Sequence, residues 1–229
     1  GGAPFNPEVE AFLRKINFPY TIAYGMTECA PLICHSRWDE ILYTSCGKTV
    51  ANMETKVISE DPERIPGELV CRGMNVMLGY YKNESATAQT IDKDGWLHLG
   101  DLAVADEQGY YKITGRMKDM IIRGGENIYP KELEDFLYTN PKVKDVQVIG
   151  VPSKQYGEEV MACVILKDGQ SMTEEEVKDY FRASMSRHKV PRYVRFMEAF
   201  PMTASGKIQK FKLKDLGLQL CKEQGIEII

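Results

Sequence analysis

In the first half of the chain, apolar and polar residues alternate in short runs that glycine and proline interrupt. A period of two with such interruptions predicts short β-strands joined by turns. The run 106–109, Asp-Glu-Gln-Gly, predicts the turn of a hairpin over 102–115. Asn6 and Pro7 are the residue types of a helix N-cap and first turn. The predicted strands are 20–24, 53–59, 67–72 and 96–99, and the predicted helices are 7–16 and 84–91.

After Lys118 the apolar runs become longer, richer in β-branched residues, and alternate with helical patterns. Thr173 and Glu176 form a capping-box pattern that predicts the start of a helix. Strands are predicted at 120–122, 143–151, 160–166 and 193–196, and helices at 130–137, 173–185 and 210–222. This order predicts a compact α+β unit of about 110 residues with its helices on one face of a sheet. We therefore expect two domains, 1–116 and 117–229.

Composition excludes several classes of protein. The formal net charge of -4 and the lack of a dense Lys/Arg block argue against a nucleic-acid partner. No apolar run approaches the roughly 18 residues of a membrane span. The first residues show no signal peptide and no starting Met, so we expect a processed or cloned fragment. The six cysteines include no C-x-x-C pair, and the three histidines are scattered, so we expect reduced thiols and no metal cluster.

Four short motifs contain residues whose side chains could bind a ligand or take part in catalysis. Two of them are the run 24–28, Tyr-Gly-Met-Thr-Glu, and the run 96–101, Trp-Leu-His-Leu-Gly-Asp. Their carboxylates could bind Mg²⁺ or ribose hydroxyls, or they could lie in a plain surface loop and a β-turn. The run 202–208 contains Ser-Gly-Lys, but Pro201 replaces the first glycine of a Walker motif, so this is not a P-loop. Its lysine could stabilise developing negative charge or be a solvated loop residue.

The fourth motif is the run 115–130, in which alternating charges precede an apolar triplet, a Gly-Gly pair and Asn-Ile-Tyr-Pro. A glycine pair after a strand indicates a tight bend or a close approach of the backbone to another molecule. The bland interpretation, a solvated turn between two strands, stays open at this point.

Taken in order, the four motifs resemble those of the AMP-forming acyl-CoA synthetases, within the acyl/aryl-CoA ligase, adenylation-domain and luciferase superfamily. The resemblance extends from Tyr20 onward and is greatest for the medium-chain acyl-CoA synthetases. It implies a fold of class α+β. Residues 1–116 would be the C-terminal part of the large AMP-binding domain, a β-rich remnant with a distorted barrel-like subdomain. Residues 117–229 would be the small, mobile α+β lid domain.

The resemblance also implies an activity in two half-reactions: ATP and a carboxylic acid give an acyl-adenylate, and coenzyme A then displaces AMP. ATP/AMP, Mg²⁺ and coenzyme A are thus the implied cofactors and co-substrate. The implied nucleotide-binding residues are Tyr24 on the adenine side, Gly25, Thr27, Asp101 on the ribose, Arg116 and Lys207. The implied metal ligand is Glu28, the adenylation lysine is Lys207, the hinge is Lys118, and Gly124, Gly125 and Glu126 face coenzyme A. A basic cluster at 187–189 could meet its phosphates or be a solvated helix end.

One part of the family pattern is absent: no Ser/Thr/Gly-rich phosphate loop ending in Pro-Lys precedes Tyr24. We therefore expect these 229 residues alone to be inactive, and to self-associate through apolar surface that other domains would cover. Two alternatives remain: a non-enzymatic nucleotide- or partner-binding module, and an adenylation domain serving a carrier-protein thiol. The run 126–130, Glu-Asn-Ile-Tyr-Pro, favours a CoA ligase over the latter. The expected compartment is the bacterial cytoplasm, or else the mitochondrial matrix.

Overall fold

The computed structural model describes residues 7–204 and 206–223, and gives only the backbone of Pro7, Glu8, Leu220 and Cys221. Asn6, the expected N-cap, and Ser205 of the Ser-Gly-Lys run lie outside the described residues. The chain divides into two compact units, Gly1–Met117 and Lys118–Ile229. The division falls inside the run 115–130. No helix within the described ranges is long and apolar enough to cross a membrane.

The first unit contains two antiparallel sheets, with strand orders β1-β2-β3 and β4-β5-β6-β7. Its elements are α1 (Pro7–Lys15), β1 (Ile22–Gly25), a 3₁₀ helix (Thr27–Cys29), β2 (Leu32–Ser36), β3 (Lys48–Thr49), β4 (Met53–Ile58), β5 (Gly67–Gly73), α2 (Glu84–Thr90), β6 (Leu97–Ala105) and β7 (Tyr111–Arg116). Buried side chains from both sheets, among them Ile33 and Leu69, form one core. Because both sheets are open over the described residues, the expected barrel-like subdomain is instead a pair of sheets that share a core.

The predicted hairpin is confirmed in β6 and β7. The N–H of Asp106 donates to the carbonyl of Tyr110 at 3.0 Å, and the Asp106 carboxylate accepts the N–H groups of Gln108 and Tyr110. β6 is longer than predicted, since it continues past Leu99 through Gly100 and Asp101. The sequence analysis missed β2 and β3, whose residues do not show the alternation of a half-buried strand.

The second unit is a five-stranded sheet with helices around it. Its elements are a 3₁₀ helix (Met117–Asp119, which spans the division), β8 (Ile121–Arg123), β9 (Glu126–Ile128), α3 (Pro130–Tyr138), β10 (Val143–Ser153), β11 (Gly157–Leu166), α4 (Glu174–Arg182), a 3₁₀ helix (Arg187–Lys189), β12 (Tyr193–Phe196) and α5 (Lys210–Glu223). The strand order is β10-β11-β8-β9, and β12 pairs in parallel with β11. The predicted capping box at Thr173 is confirmed by both of its hydrogen bonds.

The helices of this unit pack on both faces of the sheet, so the prediction of a single covered face was wrong. On one face α3 and α4 cover the side chains of Val146, Val148, Val160, Ala162 and Val164. On the other, Leu213 of α5 packs with those of Ile149, Val151, Met161, Cys163 and Ile165. Burial on both faces explains why β11 is apolar at consecutive positions rather than alternating ones. Gly217 lets α5 approach closely, since a Cβ there would stand 2.8 Å from Val151.

A carboxylate on α3 closes part of the exposed edge of this sheet. β10 is an edge strand in the order above. Glu134 accepts the N–H of Val148 at 2.9 Å and also the ammonium of Lys210 on α5 at 2.8 Å. One side chain thereby connects α3, the edge strand and the start of α5.

The Gly-Gly pair is a two-residue hairpin turn between β8 and β9, in which Arg123 pairs with Glu126. Gly124 and Gly125 have φ angles of +60° and +89°, as the favoured type I′ hairpin turn requires of both central residues. The N–H of Gly124 also donates to the carbonyl of Tyr156 at 2.8 Å. The interpretation left open above, a turn between two strands, therefore accounts for both glycines. β9 itself was not predicted.

This turn gives a first prediction, made by comparing two substitutions at Gly124. Asn tolerates positive φ and Asn-Gly suits this turn, so Gly124→Asn should nearly preserve the free energy of unfolding. Gly124→Val should lower it by about 1–2 kcal/mol, because a β-branched residue is strained in the left-handed region. Urea unfolding measures both. A new Cβ meets the same Tyr156 ring, at 3.2 Å, in either variant, so the clash of the Cβ itself is matched between the two. Equal losses would contradict the turn assignment.

Candidate functional site

Three of the residues singled out from the sequence meet around one carboxylate in the first unit. The phenol of Tyr24, on β1, donates to Oδ2 of Asp101, on β6, at 2.6 Å. Nε of Arg116 lies 3.5 Å from Oδ1 of the same carboxylate, and the two residues pair directly between β6 and β7. The Asp101 side chain is 22% exposed, so it is confined but reachable from solvent.

Tyr24 is held protonated in this arrangement. Burial raises the pKa of its phenol well above the usual value, and the negative charge of Asp101 raises it further. A protonated phenol is a hydrogen-bond donor, so Tyr24 fixes the orientation of the carboxylate. The sequence analysis assigned this residue only an aromatic face for adenine and did not anticipate the role of its hydroxyl.

The carboxylate of Asp101 keeps binding capacity despite these contacts. Each oxygen of an ionised carboxylate has two acceptor sites. Tyr24 occupies one site on Oδ2 and Arg116 approaches Oδ1. One further site on each oxygen suits a pair of neighbouring hydroxyl groups, such as those of a ribose. The guanidinium of Arg116, 60% exposed, can in addition contact an anion.

Glu28 lies on the 3₁₀ helix after β1 and is held by a residue that the sequence analysis missed. The phenol of Tyr80 donates to Oε1 of Glu28 at 2.9 Å, and this bond is the main cause that raises the pKa of Tyr80. The N–H of Met77 donates to the Glu28 carbonyl at 2.8 Å. Thr27 is exposed beside it. The only signal for Tyr80 was an aromatic pair after Gly79, which is too common to single out.

The surroundings of Glu28 fit a magnesium ion that is bound mainly through a ligand. Within residues 7–204 and 206–223, no group of three or more His, Cys, Asp or Glu side chains could hold a metal by itself. Mg²⁺ characteristically binds one or two carboxylates, with water and phosphate oxygens completing its coordination. Glu28 offers one such carboxylate. The ion would therefore be held here only together with a phosphate-bearing ligand.

Gly25 is required by the fold of this loop. A Cβ at Gly25 would lie 1.7 Å from the carbonyl oxygen of Pro31, because the chain folds back against itself after β1. The amide of Asn75 holds the loop from outside by donating to the carbonyls of Cys29 and Leu32 at 2.7 and 2.9 Å. The loop that presents Thr27 and Glu28 is therefore held by a close backbone approach at Gly25 and by the side chain of Asn75.

In the second unit, Lys207 is exposed, and its backbone is hydrogen-bonded to Thr203. The N–H of Thr203 donates to the Lys207 carbonyl at 2.8 Å, and the Thr203 hydroxyl accepts the Lys207 N–H at 3.1 Å. A bridge between Met202 and Ile208 closes the turn. The backbone of Lys207 is thus bonded to Thr203, and its exposed side chain can reach a ligand.

The proposed hinge and coenzyme A residues of this unit are exposed. Lys118 lies in the 3₁₀ helix Met117–Asp119, and Gly124, Gly125 and Glu126 lie at the tip of the β8–β9 hairpin. In the basic cluster at 187–189, the charge of Lys189 is neutralised, because its ammonium binds Glu132 at 2.6 and 2.8 Å.

Arg123 joins the hairpin to that basic segment. Its guanidinium donates to the carbonyl of His188 at 2.7 Å and to Oε1 of the buried Glu159 at 3.2 Å. Nε lies 2.8 Å from the other oxygen of Glu159, in an ion pair that lacks hydrogen-bond geometry. The hairpin tip and the segment 187–189 are consequently parts of one connected structure.

Known relatives agree with the predicted resemblance. A putative acyl-CoA synthetase, YngI, from Bacillus subtilis (strain 168) is 47% identical over 229 residues, covering 96% of this chain and 42% of the relative. The mitochondrial medium-chain acyl-CoA ligase ACSF2 of Homo sapiens is 45% identical over 224 residues, covering 93% of this chain and 36% of the relative. The chain thus spans less than half the length of these curated relatives.

A solved structure shows a matching fold. The o-succinylbenzoate CoA synthetase MenE from Bacillus subtilis, in complex with its acyl-adenylate intermediate, superimposes with a TM-score of 0.84 at 31% identity. The match covers 94% of this chain and 45% of that one. The AMP-binding enzyme family model matches residues 1–81, and the AMP-binding enzyme C-terminal domain model matches residues 132–207. With both models in chain order and relatives of this kind over most of its length, the chain belongs to the family of AMP-binding enzymes.

Proposed function

We propose that this chain is the C-terminal portion of an AMP-forming carboxylic acid–CoA ligase. The enzyme makes an acyl-adenylate from ATP and a carboxylic acid, and then an acyl-CoA thioester. The observation that carries the proposal is the carboxylate of Asp101, held by Tyr24 and Arg116 with an acceptor site left on each oxygen. In this proposal residues 1–116 are the end of the large AMP-binding domain, and residues 117–229 are its mobile lid.

The first unit binds the nucleotide. Asp101 accepts the two ribose hydroxyls, and Arg116 contacts the ribose or a phosphate. Gly25 and Thr27 line the loop next to the phosphates, and the ring of Tyr24 bounds the adenine. Glu28, oriented by Tyr80, holds Mg²⁺ jointly with the phosphates of ATP. When bound, the ion neutralises phosphate charge.

In the second unit, Lys207 acts in the first half-reaction. Its ammonium contacts the carboxylate of the acid and an oxygen of the α-phosphate, where negative charge develops. The two hydrogen bonds between Thr203 and the backbone of Lys207 support this role, because a charge stabilises a transition state only when it is held in position.

The second half-reaction uses the hairpin. Lys118 is the hinge about which the lid rotates, and the hairpin tip then faces coenzyme A through Gly124, Gly125 and Glu126. The turn geometry explains both glycines without a ligand, so passage of the pantetheine arm is a separate proposal. Gly124→Asn, which preserves the turn but adds a side chain, tests that passage independently of folding.

The substrates are a small carboxylic acid and coenzyme A, and the compartment is the bacterial cytoplasm or, second, the mitochondrial matrix. Self-association is also proposed, because several large apolar side chains of the first unit are more than half exposed. They include Phe12 (59%), Phe18 (54%) and Trp38 (66%). An apolar surface of this kind favours contact with a second copy or with another domain.

The 229-residue chain alone should not complete the reaction. It holds no phosphate loop before Tyr24, and residues 1–23 are too few to form an acyl pocket. A pyrophosphate-release assay with ATP, Mg²⁺ and fatty acids of several lengths should show no turnover above background. A longer relative such as YngI serves as the positive control. Robust pyrophosphate release by the purified chain would contradict the prediction.

The two half-reactions should separate in an active enzyme that contains these residues. Lys207→Ala should slow adenylate formation by roughly 100-fold, the cost of losing one positioned charge, and spare thioester formation from supplied acyl-adenylate. Lys118→Pro should do the opposite, because proline fixes φ near -65° and so resists rotation. Pyrophosphate release measures the first step and acyl-CoA formation the second.

Two control variants accompany this experiment. Lys212→Ala removes an exposed lysine of α5, and Lys118→Ala removes the hinge side chain but leaves φ free; both should retain the two half-reactions. Equal losses of both half-reactions in Lys118→Pro would argue against a hinge at that position.

A further inference from the structure

β6 has a bulge at the point where it carries Asp101. Glu68 on β5 pairs with Leu102, and Val70 pairs with His98. Between these pairs β5 has one residue and β6 has three, which are Leu99, Gly100 and Asp101. Gly100 has a φ of +66°, which lets the strand turn at this point. A bulge redirects the side chains that it carries, so the direction of Asp101 is set here.

The bulge is held by the side chain of Glu68. A bulged strand loses ladder hydrogen bonds, so its N–H groups need other acceptors. Oε1 of Glu68 accepts the N–H of Gly100 at 3.2 Å, while Oε2 lies 2.8 Å from Nδ1 of His98. The Glu68 side chain is only 16% exposed, so both contacts are partly shielded from water.

His98 extends this network to a second fixed carboxylate. Its Nε2 lies 3.7 Å from Oδ2 of Asp92. The other oxygen of Asp92 accepts the N–H groups of Asp94 and Trp96, both at 2.9 Å. The turn before β6 therefore holds Asp92, Asp92 faces His98, and His98 keeps Glu68 aimed at the bulge.

We propose that Glu68 is a positioning residue for nucleotide binding. It anchors Gly100 in the β6 bulge and thereby fixes the carboxylate of the next residue, Asp101, for the ribose hydroxyls. The inference rests on the proposed function, since it takes a ribose as the ligand of Asp101. Glu68 touches no substrate, and its effect passes through one backbone N–H.

The proposal predicts a specific pattern of ribose recognition in the 229-residue chain. Dissociation constants are measured by NMR titration for AMP and for 2′,3′-dideoxy-AMP, which lacks both hydroxyls. AMP should bind about 10-fold more tightly, the order expected of hydrogen bonds to a carboxylate. Asp101→Asn should bring the ratio close to 1, because an amide offers only one acceptor oxygen.

Substitutions at Glu68 then separate geometry from charge. Gln has the length of Glu and can accept from Gly100 while its NH₂ faces His98, so Glu68→Gln should keep the ratio. Asp keeps the charge but is one methylene shorter, so Glu68→Asp should bring the ratio of the two dissociation constants close to 1, as Asp101→Asn does. Glu54→Ala removes an exposed carboxylate of the same sheet that binds Arg72, and should keep the ratio. Circular dichroism checks that each variant is folded. The hydrogen-exchange rate of the Gly100 amide measures whether that N–H is still held.

Every outcome is decisive. When Asp101→Asn loses the preference for AMP, a preference retained in Glu68→Asp overturns the role of Glu68. A preference lost in Glu68→Gln overturns it as well, whatever Glu68→Asp shows, because Gln keeps the length and the acceptor oxygen. A ratio near 1 in the unsubstituted chain, or one unaffected by Asp101→Asn, instead overturns the ribose role of Asp101 in the proposed function. In that case the Gly100 amide decides the anchoring: exchange at least about 10-fold faster in Glu68→Asp supports it, and unchanged exchange overturns it.

Discussion

The hydrogen bond from Tyr24 to Asp101 is the contact on which the first unit depends. Tyr24 belongs to the sheet β1-β2-β3 and Asp101 to the sheet β4-β5-β6-β7, so this bond links two separate ladders over their shared core. A confined carboxylate is costly unless its oxygens have partners. The phenol of Tyr24 and the guanidinium of Arg116 are the partners of the Asp101 carboxylate. Their positions in turn fix how the ends of β1 and β7 meet β6.

The same principle recurs at each carboxylate of the candidate site. Tyr80 holds Glu28, and His98 holds Glu68, in every case through a donor on a different element of the chain. A hydrogen bond from a distant element restricts a side chain more strongly than a local contact, because it ties the carboxylate to the core rather than to its own loop. The site is therefore organised before any ligand arrives, which lowers the entropy cost of binding.

Structural features that depend on only a few neighbouring residues were predictable from the sequence. The capping box at Thr173 and the turn at 106–109 are local, and local chemistry specified them. Asp101, Glu28 and Lys207 were singled out as ligand-binding residues because their motifs follow one another in the same order as in the family that the sequence resembles. Glu68 was not found, since its role comes from a bulge in the neighbouring strand and leaves no pattern in its own.

Two errors in the second unit have different causes. The sheet of the second unit was predicted to have helices on one face, although the unbroken apolar run 160–166 already indicated burial on both. β9 escaped prediction because Glu126 and Asn127 are exposed and only Ile128 is buried, so three residues gave too short a pattern. The cluster at 187–189 was left open between a phosphate contact and a solvated helix end. Within it, the charge of Lys189 is neutralised by Glu132, 57 positions away in sequence.

Glu134 has a consequence for how copies of this molecule meet. An unpaired strand at the margin of a sheet is a template for edge-to-edge aggregation, because its N–H and C=O groups can bond to a strand of another molecule. In β10 the N–H of Val148 is already taken by Glu134, whose own charge is compensated by Lys210. A strand of another molecule would have to break that bond and would disturb the ion pair of Glu134 with Lys210 beside it. The contact that positions α5 thus also serves as protection against fibrous assembly along this margin.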